Sequence, residues 1–196
     1  MKSTKIITII TAFLILSIFS TVVIQNGQNR NPHRRITCRN NLKQIGMGLM
    51  MYAEDNNGHF PSGDNVKGLT KIITPYIKQN KVLICPKDKK RTVSKSALKE
   101  DNSSYIYLDI ERSVAKVKYP LITVVAFDKP NNHRSYVNVL YMDGRALQVK
   151  TKKNYNCEAI LTVVYKSDFS DPTRKLQLKK ARAMDKKFGW KAPPKE

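Results

Sequence analysis

Hydrophobic and polar positions along the chain fall into contrasting blocks. From Ile6 to Ile24 there is no charge, and most positions are Ile, Leu, Val or Phe. That run of about 19 residues is long enough to cross the roughly 30 Å hydrocarbon core of a bilayer as a helix. Lys2 and Lys5 in front of it give the basic start of a signal segment. Gln25 to Pro32 is polar and rich in breakers, which predicts an interruption. Helical periodicity follows: Leu42, Ile45, Leu49 and Tyr52 recur at spacings of three and four, the apolar stripe of an amphipathic helix. Met47, Met50 and Met51 widen the stripe and are assigned to core packing rather than to a soft recognition face.

Asp55-Asn-Asn-Gly58 predicts the end of that helix. Leu69 to Lys78 reads as a short helix bent at Pro75, and Val82 to Pro86 as a strand ending in a turn. Ser104–Leu108 and Ile122–Phe127 have strand composition. Tyr136 to Met142 alternates, with Val137, Val139 and Tyr141 on one face and Asn138, Leu140 and Met142 on the other. Asp143-Gly144 predicts a two-residue hairpin turn with positive φ at both positions, and Arg145 to Lys150 the return strand. Asn156 to Tyr165 is apolar enough to pack back on the domain. Asp171-Pro172 is an N-cap followed by proline at the first helical position, opening a helix that runs to Phe188 and stops at Gly189. Its narrow apolar stripe, Leu176, Leu178, Ala181, Met184 and Phe188, predicts docking on the domain, with a basic interfacial helix lying on an anionic membrane as the alternative.

Together these blocks predict an α+β chain. A transmembrane anchor occupies residues 1–25, a polar linker 26–35, an α+β domain 36–150 and a basic extension 151–196. Within the domain an amphipathic helix packs on a small antiparallel sheet, and the extension ends in a basic helix.

Charge adds a second theme. The formal net charge is +21, a field that favours an anionic partner without choosing among nucleic acid, acidic lipid and wall polymer. In the last helix Lys179, Lys180, Arg182, Lys186 and Lys187 form the densest candidate anion contact. There are three cysteines; three partly buried thiols and one oxidised pair both stay open. No Cys-x-x-Cys is present, so a zinc ribbon has no support. Asp55, His59 and Asp64 lack the alternating oxygen ligands of a calcium loop. No metal and no cofactor are expected.

His133 and Asp143 attract attention as an acid–base pair, but they bracket a strand. At about 3.3 Å per residue they stand roughly 25–33 Å apart, beyond hydrogen-bond reach. Asp128 is the nearer companion of His133 across Lys129-Pro-Asn-Asn132, and a turn-stabilising contact is the role expected there. With no nucleophile motif beside them, the chain is not expected to be an enzyme.

These landmarks form an ordered set. Cys38-Arg-Asn-Asn-Leu-Lys-Gln-Ile-Gly46 comes first, then Tyr52-Ala-Glu-Asp-Asn-Asn-Gly-His-Phe-Pro61, then His133 with nine residues before Asp143-Gly144, all behind an apolar N-terminal segment. The set, which includes Asn41 and Leu42, resembles the prepilin-type processing-associated H-x9-DG proteins, relatives of the major pseudopilin of type II secretion. The resemblance implies a pseudopilin-like helix-on-sheet fold over about residues 36–150, exported to the periplasmic side of the inner membrane on a single-pass anchor. It further implies a structural or assembly role in an envelope secretion or pilus-type system, with other pilin-like or secretion-system subunits and the membrane as partners. Where one cysteine pair is oxidised, the family-like motifs around Cys38 and Cys85 imply that these two form it, leaving Cys157 over. The chain departs from the family at its start: its first Gly is Gly27 and its first Glu is Glu54, so a non-polymerising accessory subunit is the form expected. The alternative is an anchored module that binds an anionic polymer, DNA or wall polysaccharide, or a lipid surface through its basic face.

Overall fold

The computed structural model describes residues 31–88, 102–151 and 155–192. The chain divides into two units, Met1–Ile36 and Thr37–Glu196; the fold below is that of the second. Helix α1 runs Asn31–Asp55, with Pro32 in its first turn, where a missing N–H costs nothing. The polar stretch before Pro32 therefore gives way to the helix within the span assigned to the linker. Helix α2 (Val66–Ile72) passes directly into a π turn, Ile73–Ile77, around Pro75, as a proline without a donor demands.

The sheet is four-stranded, antiparallel and in simple chain order: β1 (Tyr105–Tyr107), β2 (Val124–Asp128), β3 (Tyr136–Tyr141) and β4 (Ala146–Lys150). Helices α3 (Cys157–Val164) and α4 (Pro172–Phe188) close the chain. Alternation along the strands feeds two cores, because side chains i and i+1 point to opposite faces. On one face Tyr105, Tyr107, Val125 and Leu140 pack with Cys38, Leu42, Ile45 and Leu49 of α1 and with Leu69 and Ile72 of α2. On the other face Ile106, Phe127, Val137 and Val139 pack with Ile160 and Leu161 of α3 and with Ala181 and Met184 of α4.

Residues 155–192 are therefore part of the same body as the sheet. Asp171 caps α4 by accepting from the N–H groups of Thr173 and Arg174. Gln177 donates to the carbonyl of Val124, and Tyr165 Oη accepts from the Val124 N–H at 2.9 Å. The Asp185 carboxylate accepts from the first N–H groups of α3, Cys157 and Glu158, at 2.8 and 3.0 Å, a carboxylate at a helix N-terminus.

Three expectations change. The transmembrane helix expected over residues 6–24 lies outside the described residues, and among the described residues no helix is long and apolar enough to cross a membrane. Helix α1 has the length but carries Arg39, Lys43, Glu54 and Asp55, charges that are costly in hydrocarbon. The expected fold, a spanning helix with a pseudopilin-like helix-on-sheet unit, is thus corrected to an α+β domain of four described helices on both faces of an open four-stranded sheet. Second, Val82–Pro86 is not a strand: Asn80–Leu83 is a 3-10 turn, and the carbonyls of Leu83 and Ile84 are taken by the Ser104 N–H and Asn41 Nδ2. Third, the β3–β4 turn has three residues, not two. Gly144 N–H donates to the Tyr141 carbonyl at 3.0 Å and Tyr141 N–H to the Arg145 carbonyl at 2.9 Å. Positive φ is confined to Gly144, at 84°, which makes a type I turn closed by a glycine bulge.

Candidate functional site

Three separate segments converge on one buried cluster. Helix α1 supplies Cys38; one turn on, Asn41 donates to the Ile84 carbonyl at 3.0 Å and so fastens the backbone beside Cys85. Cys38 and Cys85 form a disulfide with a Cα–Cα separation of 5.1 Å, inside the usual range. Asp128 ends β2, and the loop after it is closed by Asn132 and the Lys129 N–H, which donate to the Ser104 carbonyl at 2.7 and 2.9 Å. That closure delivers His133 back to the same place.

His133 Nε2 lies 3.1 Å from Asp128 Oδ2 and 3.6 Å from Cys85 Sγ. Its Nδ1 is 2.8 Å from the Tyr136 hydroxyl, and the two rings stack at 4.4 Å. Asp128 Oδ2 also accepts from the N–H and Nδ2 of Asn138, at 2.7 and 2.8 Å. Asp128 Oδ1 is buried with no hydrogen-bond partner. The side chains of His133 and Asp128 are both 0 % exposed, and both disulfide cysteines are fully buried. A disulfide so enclosed is a staple, since exchange requires access for an attacking thiolate. It joins α1 to the segment leading into β1, while the His133–Asp128 pair ties the end of β2 to the loop before β3. Burial pushes the Tyr105 hydroxyl well above its ordinary pKa, so it stays a neutral donor to the Cys38 carbonyl, at 3.3 Å. Cys157, the free cysteine, is also buried, and burial beside Asp185 pushes its thiol well up.

The other residues singled out by sequence brace the same unit from its far end. Leu42 lies in the core. A Cβ built on Gly46 would stand 2.9 Å from Leu140 Cδ1 and 3.6 Å from the Gly144 Cα, so Gly46 is where α1 approaches the hairpin closely. Asp143 pairs with Arg145 in the turn. His133 and Asp143 thus sit at opposite ends of β3 and share no site, whereas Asp128 and His133 do meet.

The basic helix does not form the expected anion surface. Lys180, only 11 % exposed, reaches Glu111 Oε1 at 2.8 Å, Asp64 Oδ1 at 3.1 Å and the Asp109 carbonyl at 2.7 Å. Arg182 pairs with Glu158 at 2.7 Å, and Lys187 stands over the Phe188 ring. Lys179 and Lys186 are exposed. Two of the charges expected to hold an anionic polymer or lipid surface, Lys180 and Arg182, instead hold α4 to the domain. That reading is withdrawn. With no spanning helix among the described residues, the membrane-anchored secretion or pilus subunit is withdrawn too, along with its pilin-like partners, membrane attachment and single-pass inner-membrane placement.

One surface was misassigned by periodicity. Met47, Met50 and Met51 are 63 %, 44 % and 45 % exposed, not core. Clefts flank them on both sides. One of about 280 Å³ is lined by Met50, Ala53, Glu54, Phe60, Val114 and Met142, and one of about 160 Å³ by Gln44, Met47, Met51, Tyr76 and Ile77. The crowding of methionines on a single helix was the available signal.

Comparison with known proteins adds little. Residues 28–83 are similar to a family model, SBP_bac_10, described as a protein of unknown function (DUF1559). The matched span covers α1, α2 and the turn before Cys85, and its description names no activity. No curated protein and no solved structure matches the chain.

Proposed function

We propose that the protein is a non-catalytic recognition domain: a disulfide-stapled α+β scaffold that presents the Met47–Met50–Met51 face of α1 to an apolar segment of a protein partner. The observation that carries this reading is the exposure of three methionines in two turns of one helix, between two clefts. Methionine is unbranched and polarisable and moulds to varied apolar shapes, and apolar side chains grouped at a surface mark interaction sites. Charge refines the partner. On a chain of +21, Glu54 is the charged residue lining the larger cleft. The partner segment is therefore apolar with a basic residue opposite Glu54. The H-x9-DG likeness enters as a fold signature alone: its residues brace helix against hairpin.

The test labels methionine methyl groups in the full chain and titrates a synthetic amphipathic leucine–lysine helix. Shifts confined to Met47, Met50, Met51 and Met142, lost in Met50→Glu, are expected. Shifts spread evenly over all methionines, or methyl groups of Met47 and Met51 shielded from a soluble paramagnetic probe in the free chain, would overturn the assignment.

A further inference from the structure

We propose that the staple is also a redox-gated metal site: once the Cys38–Cys85 disulfide is reduced, the two thiolates, His133 Nε2 and Asp128 hold a borderline-soft divalent cation, Zn2+ in the first instance. Zinc takes four ligands of this kind in a tetrahedron, and closed, buried sites are structural ones.

The geometry is nearly that of such a site. The ligand atoms of Cys38, Cys85 and His133 all lie within 4.8 Å of one another. Tetrahedral zinc ligands stand about 3.3–3.8 Å apart, given Zn–S near 2.3 Å and Zn–N near 2.0 Å. The Cys85 Sγ to His133 Nε2 separation, 3.6 Å, already falls there, and Nε2 to Asp128 Oδ2, 3.1 Å, is close to it. Two adjustments complete the set: reduction removes the sulfur–sulfur bond, and Asp128, which reaches His133 but stands outside the Cys38–Cys85–His133 group, turns its carboxylate towards the sulfurs as the fourth ligand. A second, independent observation is Asp128 Oδ1, a carboxylate oxygen inside the domain with no hydrogen-bond partner. A buried lone pair left unsatisfied is costly, and a cation satisfies it.

Outer support is in place as well. Metal-bound histidines pass their other ring N–H to a neighbour. Here the Tyr136 hydroxyl oxygen stands 2.8 Å from Nδ1, and Asn138 fixes Asp128 through two hydrogen bonds. In the oxidised chain Nε2–H donates to Asp128 and Nδ1 accepts from the tyrosine. In the metal form the tautomer reverses: Nδ1–H donates to the tyrosine oxygen and the Nε2 lone pair faces the ion.

The step balances with an external dithiol. In the unfolded or opened chain, where the bond is accessible, two successive exchanges convert the protein disulfide to two thiols and the dithiol to its own disulfide. Zn2+ then displaces two thiol protons to solvent. The consequence is structural continuity: residues 38 and 85 remain cross-linked by sulfur–sulfur in an oxidising setting and by sulfur–zinc–sulfur in a reducing one.

The experiment compares the full chain refolded oxidised with the chain refolded under a phosphine reductant, each given Zn2+ alone, then Co2+ as a spectroscopic probe. We expect about one ion per reduced chain and none per oxidised chain. The Co2+ form should show thiolate charge-transfer and tetrahedral ligand-field bands. Cys157→Ser should leave both unchanged, His133→Ala should abolish uptake, and Tyr136→Phe should weaken affinity about 10-fold with stoichiometry retained. A reduced chain that folds only with Zn2+ supports the site as directly, since metal binding is then folding free energy. A reduced chain that takes up no zinc, one that zinc cannot refold, or a cobalt spectrum without thiolate bands overturns the proposal.

Discussion

Replacing both staple cysteines by alanine, Cys38→Ala with Cys85→Ala, tests the reasoning behind the fold most directly. The bond closes a loop of 47 residues in sequence. The chain-entropy relation for a loop of that length gives about 4 kcal/mol at 25 °C, by restricting the unfolded chain. Alanine avoids placing serine hydroxyls beside the buried His133–Asp128 pair, where they would seek hydrogen bonds. Both sulfurs come from fully buried positions, so the vacated volume adds to the loss rather than offsetting it. For a domain of this size about 4 kcal/mol corresponds to a fall in Tm of about 8–16 °C. Urea unfolding of the two proteins, with a chelator present to exclude any metal, should show a lower midpoint for the variant. The denaturant slope should rise, because the unlinked unfolded chain exposes more surface. A Tm change below about 3 °C with an unchanged slope would refute the reasoning: it would mean that the loop is already restrained in the unfolded chain, or that α1 is held to the sheet without the bond.

Three further outcomes follow from named contacts. His133→Ala leaves the Asp128 carboxylate buried without one of its hydrogen-bond donors, which should cost about 1–3 kcal/mol by urea unfolding; the loss in the double variant with Asp128→Ala should fall well short of the sum of the singles. Gly46→Ala places a Cβ 2.9 Å from Leu140 Cδ1 inside the helix–hairpin contact and should lower stability by about 1–3 kcal/mol, despite alanine's better helix propensity; a stabilised variant would contradict the close approach. Asp168 is held below its ordinary pKa by hydrogen bonds from Ser170 and by Arg174. Below its ordinary pKa of about 3.9 the unfolded state binds more protons, so its contribution is present above that value and fades as pH falls through the lowered one. Asp168→Asn should therefore flatten stability against pH in that acid window and not near neutrality.

Much of the secondary structure was legible because its signals are local. The spacing of Leu42, Ile45 and Leu49 marks a buried helix stripe whatever covers it, and all three are core. Alternation from Tyr136 to Met142 assigned the right residues to each face of β3, and Asp171-Pro172 with Gly189 bounded α4. Errors came where local composition met a distant neighbour. Val82-Leu-Ile-Cys-Pro86 is apolar enough for a strand, but its carbonyls are claimed by Asn41 and Ser104. Basic residues read as a surface field are partly spent inside the domain, Lys180 on Asp64 and Glu111 and Arg182 on Glu158.

What the chain alone determined was therefore which residues are helical or extended, where most elements start and stop, and which positions each element turns inward. These follow from backbone sterics, caps and apolar periods of a few residues. Only the tertiary structure decided that Cys38, Cys85, Asp128 and His133 share one buried cluster, that residues 155–192 cover a face of the sheet, and that Met47, Met50 and Met51 are left exposed. Periodicity reports that a face is apolar but not whether another element arrives to cover it. Groups 47 residues apart in sequence meet only after the intervening helix and turns have closed the loop between them.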